Sequence, residues 1–269
     1  MQILFFILLF ILGACFGSFL CCQARRLHLK STKGKSKKLS PRSVCLNCDY
    51  QLKWYDNIPV FSWLFLRGKC RKCGKKIGLA EILSELGLGL AFLALGTTID
   101  PAAASILEWA ILLATLILTI VLAFLAIYDG LYGELPTTYL TISIICAIIV
   151  LCLKEWLFSS ISPFSAENIL APLASAAILG GIYLLLYLFS KGKWVGDGDW
   201  LLGTALGLAL SSPWLSLITL FLANVLACLV MAPVVKKNKH KKIYFGPFMV
   251  IAFIITLTFA DFFYYAIGA

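Results

Sequence analysis

Runs of about twenty apolar residues recur along this 269-residue chain, at 3–22, 79–99, 104–128, 137–157, 168–189, 214–233 and 246–266. At a helical rise of ~1.5 Å per residue, about 20 apolar residues cross a hydrocarbon core ~30 Å thick. A backbone in hydrocarbon must satisfy its own hydrogen bonds, so helices are the default solution. A barrel would need short segments of alternating polarity, and these runs are continuous. An eighth run, 200–211, is marginal for a full crossing and is expected to be tilted or re-entrant within protein. Only 13% of residues are charged, about half the soluble average of ~25%. The expected fold is an all-α polytopic membrane protein of about eight transmembrane helices. Its parts are a first helix in 1–22, a soluble loop at 23–78 and a helical membrane core over 79–269.

Charge orients these spans. Fifteen of the 23 Lys and Arg residues lie between Arg25 and Lys76, against two acids, Asp49 and Asp56. Between membrane spans, such an excess marks the cytoplasmic side and argues against nucleic acid as the partner. A secretory signal peptide carries its positive charge before the apolar core; here Arg25 and Arg26 follow it, so 3–22 is expected to remain as a span. Leu12-Gly13-Ala14-Cys15 looks like a lipoprotein cleavage box, but cleavage there would leave the basic loop outside, against its charge. Both termini are placed outside. Every basic cluster (23–78, Lys191 to Lys193, Lys236 to Lys242) then falls inside, with His28 and His240 in solvated loops. The stretch 30–42, rich in Lys, Ser and Gly, reads as flexible, and the outer loop 158–167 carries Pro163.

Four of the ten cysteines lie in the basic loop, as Cys45-x-x-Cys48 and Cys70-x-x-Cys73 with 21 residues between the pairs. Paired C-x2-C turns at about this spacing are a tetrahedral zinc pattern, and cytoplasmic thiols stay reduced. Four thiolates leave no open coordination position, so the Zn²⁺ read here is structural. The other reading is four reduced cysteines without metal. Between the pairs, Trp54-Tyr55-Asp56-Asn57-Ile58-Pro59-Val60-Phe61-Ser62-Trp63 is aromatic and poor in charge. It suits either the membrane interface or the lining of a groove.

Acids at span ends are the remaining signal, because carboxylates there are costly and mark function. Asp129 closes the third apolar run. Gly196-Asp197-Gly198-Asp199 opens the short one. Both ends fall on the same, cytoplasmic, face. Brought together, Asp129 and Asp199 would form a pair that shares one proton and activates a water for peptide hydrolysis. Gly196 and Gly198 would allow close backbone approach and positive φ. The competing reading makes Asp199 a helix N-cap and Asp129 a solvated loop acid. Pro136 suits the first turn of the next helix.

Taken together, these residues resemble the prepilin peptidases, the type IV leader peptidases and N-methyltransferases with a G-x-G-D motif. The resemblance is carried by Gly17-Ser18-Phe19, the paired C-x2-C turns, and Trp54 to Val60 with Ser62-Trp63-Leu64. It continues through Leu66-Arg67-Gly68-Lys69-Cys70-Arg71, Asp129 with Pro136, the motif at 196–199 and Phe245-Gly246-Pro247-Phe248. It implies catalytic aspartates at Asp129 and Asp199, supported by Gly196, Gly198 and Pro136. It also implies cleavage of the short basic leader of prepilin or pseudopilin substrates, after Gly, at the cytoplasmic face of the bacterial inner membrane. S-adenosylmethionine-dependent methylation of the new N-terminus is implied as well, by the part carrying the Cys loop, with Glu81 as a cofactor-binding candidate. An interfacial helix-start role for Glu81, shared with Glu85, is the alternative.

Leu201 stands where the family often has Lys, and Thr137 where it often has Asp. Other readings are a peptidase without methylation, a presenilin-like intramembrane protease, and a non-enzymatic zinc-stabilised scaffold or transporter subunit. Asp197 and Asp261 have no assigned role.

Overall fold

The computed structural model describes residues 2–33, 42–45, 47–158, 166–192, 195–237 and 244–267. Most of the stretch expected to be flexible, most of the outer loop with Pro163, Lys193, and the basic run with His240 lie outside the described residues. Two compact units divide the chain, Met1–Leu93 and Ala94–Ala269.

In the first unit, α1 runs from Gln2 to Lys33. It does not end with the apolar run. The segment Cys22 to Lys33 holds no Gly or Pro, and its Gln, Ala, Arg, Leu and Lys are good helix formers. His28 is therefore on a helix and half-buried rather than in a solvated loop. α3 spans Leu79–Gly96 and packs tightly on α1. A Cβ built on Gly13 or Gly17 would collide with the backbone of Leu88 or Ser84, the small-residue contact expected between membrane helices.

Between these helices the chain makes the same small turn twice, 25 residues apart. Val44 bridges Gln51 and Lys69 bridges Lys76. Leu52 N–H donates to Ser43 and Ile77 N–H to Gly68. Asp49 and Gly74, each four positions after the first Cys of its pair, both have positive φ, 51° and 67°. The linking segment forms a short 3₁₀ turn, Trp54–Asn57, and the five-residue α2, Phe61–Phe65. Buried Asp56 pairs with Arg71 at 2.8 Å. Val60 has φ 65° and ψ −54°, and Phe61 N–H reaches Pro59 carbonyl at 2.7 Å. This is a strained γ-turn on a β-branched residue. It is pinned by Glu85, whose Oε2 accepts Val60 N–H at 2.7 Å.

The second unit is a helical bundle: α4 (Ile106–Tyr132), α5 (Thr137–Phe158), α6 (Ala166–Ala176), α7 (Ile182–Ser190), α8 (Asp199–Leu210), α9 (Pro213–Lys237), α10 (Gly246–Thr258) and α11 (Ala260–Ile267). Six of the chain's described helices are long and apolar enough to cross a membrane, and α10 with α11 counts as a seventh if taken as one span. The short α8 is the eighth apolar segment. Its Leu202, Ala205, Leu206 and Ala209 are fully buried, so it is a core helix enclosed by α5, α6, α10 and the π turn between α6 and α7. Lys154 Nζ donates to Ala209 carbonyl in its last turn at 2.8 Å, satisfying a helix-end acceptor that has no backbone partner.

Two expected spans carry local irregularities, and one boundary needs correction. The fifth span is present as Ile169–Ser190, with a π turn at Ala177–Gly181 between α6 and α7. There Gly203 of α8 lies so close that a Cβ on it would sit 2.7 Å from Leu179 carbonyl. The last span is bent by 74° between α10 and α11, and Asp261 is exposed on α11. The polar break expected at 129–137 starts only at Gly133, which ends α4 in a left-handed cap with φ 70°. Asp129 therefore lies inside the last turn of α4.

Candidate active site and metal centre

The aspartates sit at two helix ends. Asp129 is buried, and its Oδ2 accepts Gly246 N–H from the start of α10 at 2.9 Å. A Cβ at Gly246 would stand 2.8 Å from that oxygen, so only glycine lets the amide come this close. Asp199 is equally buried and is the first residue of α8. Its carboxylate turns back to accept Gly196 N–H at 2.8 Å instead of capping the following turn. Its place at a helix N-terminus favours negative charge. The two carboxylates lie within electrostatic reach of each other.

Gly196 and Gly198 do not take the positive φ expected of them. The positive-φ glycines among the described residues are Gly68, Gly74, Gly133 and Gly192, and Gly198 has φ −88°. Gly198 is needed for space: a Cβ there would lie 2.6 Å from Leu135 Cβ. Pro136 follows Leu135, and its carbonyl accepts Tyr139 N–H at 3.0 Å to start α5. The Asp-to-Pro segment and the G-x-G-D segment thus pack directly on each other. Asp197 is exposed at this junction.

Tyr183 had no signal in the sequence beyond being one tyrosine in an apolar run. It is buried in α7, its ring 5.3 Å from that of Phe245. Asp199 is near enough for its charge to act on the hydroxyl. That hydroxyl has no partner in hydrogen-bonding geometry; Asn224 approaches it but donates its own amide to Leu220 carbonyl at 2.8 Å. The register explains the placement. Gly207 meets Ala176 and Gly203 meets Gly180, so the antiparallel continuation brings Asp199 to Tyr183.

In the first unit, the Sγ atoms of Cys45, Cys48, Cys70 and Cys73 lie within 4.8 Å of one another. Cys45 and Cys73 are 3.9 Å apart, and Cys48 and Cys70 are 4.0 Å apart. Tetrahedral zinc at ~2.3 Å from each sulfur needs separations of about 3.8 Å, so the cluster fits such an ion. Backbone N–H groups of Cys73 and Lys72 draw the Cys70 thiol down to about 6. The Tyr50 backbone N–H acts downward on Cys48, yet burial and the three other thiols together hold it up at about 11. Metal binding displaces the protons such a cluster retains.

Glu81 lies on the first turn of α3, where its Oε1 pairs with Arg25 at 2.5 Å. Glu85 is buried and committed to Val60 N–H, so the two acids of this helix start differ in role. Of the aromatic linking segment, Trp54, Phe61 and Phe65 are exposed, whereas Trp63 lines a cavity.

These features define a polytopic helical membrane protein with a buried pair of carboxylates and a cluster of four cysteines whose spacing fits a metal ion. Residues 11–99 match the family model for the Bacterial Peptidase A24 N-terminal domain. The chain is 31% identical over 225 residues to a prepilin leader peptidase/N-methyltransferase of Aeromonas hydrophila, covering 82% of this chain and 72% of that protein. It is 33% identical over 200 residues to one of Klebsiella pneumoniae, covering 74% and 82%. It is 45% identical over 91 residues to one of Myxococcus xanthus, covering 34% of this chain and 26% of that protein. The chain belongs to the prepilin leader peptidase/N-methyltransferase family. No solved structure matches it.

Proposed function

We propose that the chain cleaves the leader from prepilin or pseudopilin substrates at the cytoplasmic face of the bacterial inner membrane, with Asp129 and Asp199 as the catalytic pair, and then methylates the new N-terminus. The observation that carries the peptidase half is the burial of both acids at packed helix ends, within electrostatic reach of each other. Two such carboxylates share one proton, and the apparent titrations belong to the pair. The ionised member takes a proton from water while the protonated member donates to the scissile carbonyl oxygen. Each spends one oxygen on a glycine amide and keeps the other for water and substrate. The Tyr183 hydroxyl is a further donor at this site. Gly196, Gly198 and Pro136 position the pair. The cysteine cluster holds structural Zn²⁺ that ties the two turns of the 43–77 module together.

For the second half, S-adenosylmethionine when bound supplies an electrophilic methyl on a sulfonium, which becomes a neutral thioether as a free amine gains the methyl and releases a proton. Glu81 is the residue offered to that cofactor.

The test is incubation of the purified chain in lipid nanodiscs with a type IV prepilin from the same genome, read by intact mass. Loss of the leader is expected, followed by the mass gain of one methyl group when S-adenosylmethionine is added. An uncleaved prepilin with folded, zinc-loaded enzyme would contradict the peptidase reading. A cleaved product that never gains the methyl mass would contradict the methyltransferase reading alone.

A further inference from the structure

The first unit contains a cavity of about 480 Å³, within the ~300–1,000 Å³ of pockets that take small organic ligands. It lies between the polar half of α1, the cysteine turns and the start of α3, and its walls include Ser18, Arg25, Trp63, Gly78, Glu81 and Glu85. Two polar atoms of these walls are buried and without a hydrogen-bond partner, Glu81 Oε2 and Trp63 Nε1. Buried polar atoms are nearly always paired, and each exception calls for a cause. Both here belong to one cavity, and they are of opposite kind: an anionic acceptor and a neutral donor.

The space beside the acceptor is kept open. A Cβ at Gly78 would stand 3.2 Å from Glu81 Oε2 and 3.8 Å from Arg25 Nη2. Arg25 meets Glu81 through Oε1, and Val60 N–H already occupies Glu85 Oε2. A cationic ligand entering here therefore meets Glu81 Oε2. The Trp63 N–H asks for an acceptor such as a ring nitrogen of a heterocycle. One ligand that meets both demands carries a positive centre at one end and a heteroaromatic base at the other.

We propose that this cavity is the methyl-donor site, with Glu81 Oε2 facing the sulfonium end of S-adenosylmethionine and Trp63 Nε1 donating to its base. The proposal rests on the methyltransferase reading above and gives it a place. It assigns Trp63 and Gly78 roles that the sequence did not suggest. It also separates Glu81, which addresses ligand charge, from Glu85, which anchors the strained turn at Val60.

The experiment is equilibrium dialysis of the full chain in nanodiscs against S-adenosylmethionine and, separately, S-adenosylhomocysteine, which keeps the base but lacks the sulfonium charge. Glu81→Gln is expected to weaken the donor by about tenfold or more, as loss of a charged partner does, and to leave S-adenosylhomocysteine within about threefold. That retained binding also reports that the cavity is folded. Trp63→Phe keeps the ring and removes the N–H, and is expected to weaken both ligands by a similar factor. Gly78→Ala is expected to weaken the donor more than the homocysteine form. Unchanged donor affinity in Glu81→Gln and Trp63→Phe, with wild type still methylating cleaved prepilin, would overturn the cavity assignment and leave the methyltransferase reading standing. Wild type that neither binds the donor nor methylates product would overturn both.

Discussion

The carboxylate site of the second unit and the thiol centre of the first are built by opposite means. The thiols are gathered by local turns: Cys45 N–H bonds Tyr50 carbonyl and Cys70 N–H bonds Lys75 carbonyl, each within one short loop. The carboxylates are gathered by helix packing across the chain, as when Asp129 accepts an amide 117 residues away. The zinc proposed for the local cluster would hold together a small module with little core of its own. A packed centre depends on glycines and register, because interiors close-packed like crystals do not yield to an added atom. Substitutions at the two should therefore fail differently.

The largest effects belong to the acids themselves. Asp129→Asn and Asp199→Asn are each expected to lower cleavage by about 10³-fold or more, since acid–base roles contribute ~10²–10⁴-fold, while insertion and zinc content stay normal. Replacing Cys45 and Cys48 with Ser is the opposite case. Elemental analysis should then show loss of about one zinc per chain, with methylation falling further than cleavage. Equal loss of both activities would erase the distinction between the two regions.

Gly246→Ala probes packing directly. The added methyl falls on Asp129 Oδ2 and should displace it enough to slow cleavage by about 100-fold, the scale of an ångström-sized misplacement. Near-normal turnover would show that the amide contact does not set the carboxylate. Tyr183→Phe removes one donor and should slow turnover by about tenfold with little change in KM. Asp197→Asn should change either constant by less than about twofold, as surface substitutions do; a loss like that of Asp199→Asn would transfer the role to the other acid of the motif.

This contrast also explains what the sequence made readable. The clustering of the four thiols was visible because local turns write their spacing into the chain. The membrane spans were visible from the length of their apolar runs. The burial of Asp129 and Asp199 was not, since it arises from helices that meet only after folding. Gly198 could be marked by its motif, but its purpose, making room for Leu135, depends on a neighbour about sixty residues away in sequence. The π turn at Ala177–Gly181 left no mark in an apolar run, and with it Tyr183 passed unnoticed. The 74° bend after Thr258 lies in an equally uniform run. The orphaned atoms of Glu81 and Trp63 are properties of three-dimensional accounting and have no one-dimensional counterpart.

The central claim is that Asp129 and Asp199 are one catalytic unit. It is tested most directly by single-turnover cleavage of a prepilin in nanodiscs by wild type, Asp129→Asn and Asp199→Asn, with leader release followed by mass spectrometry. The account predicts rapid release by wild type and loss of about 10³-fold or more in both variants, with zinc content and donor binding unchanged. Either variant retaining more than about a tenth of the wild-type rate would contradict it.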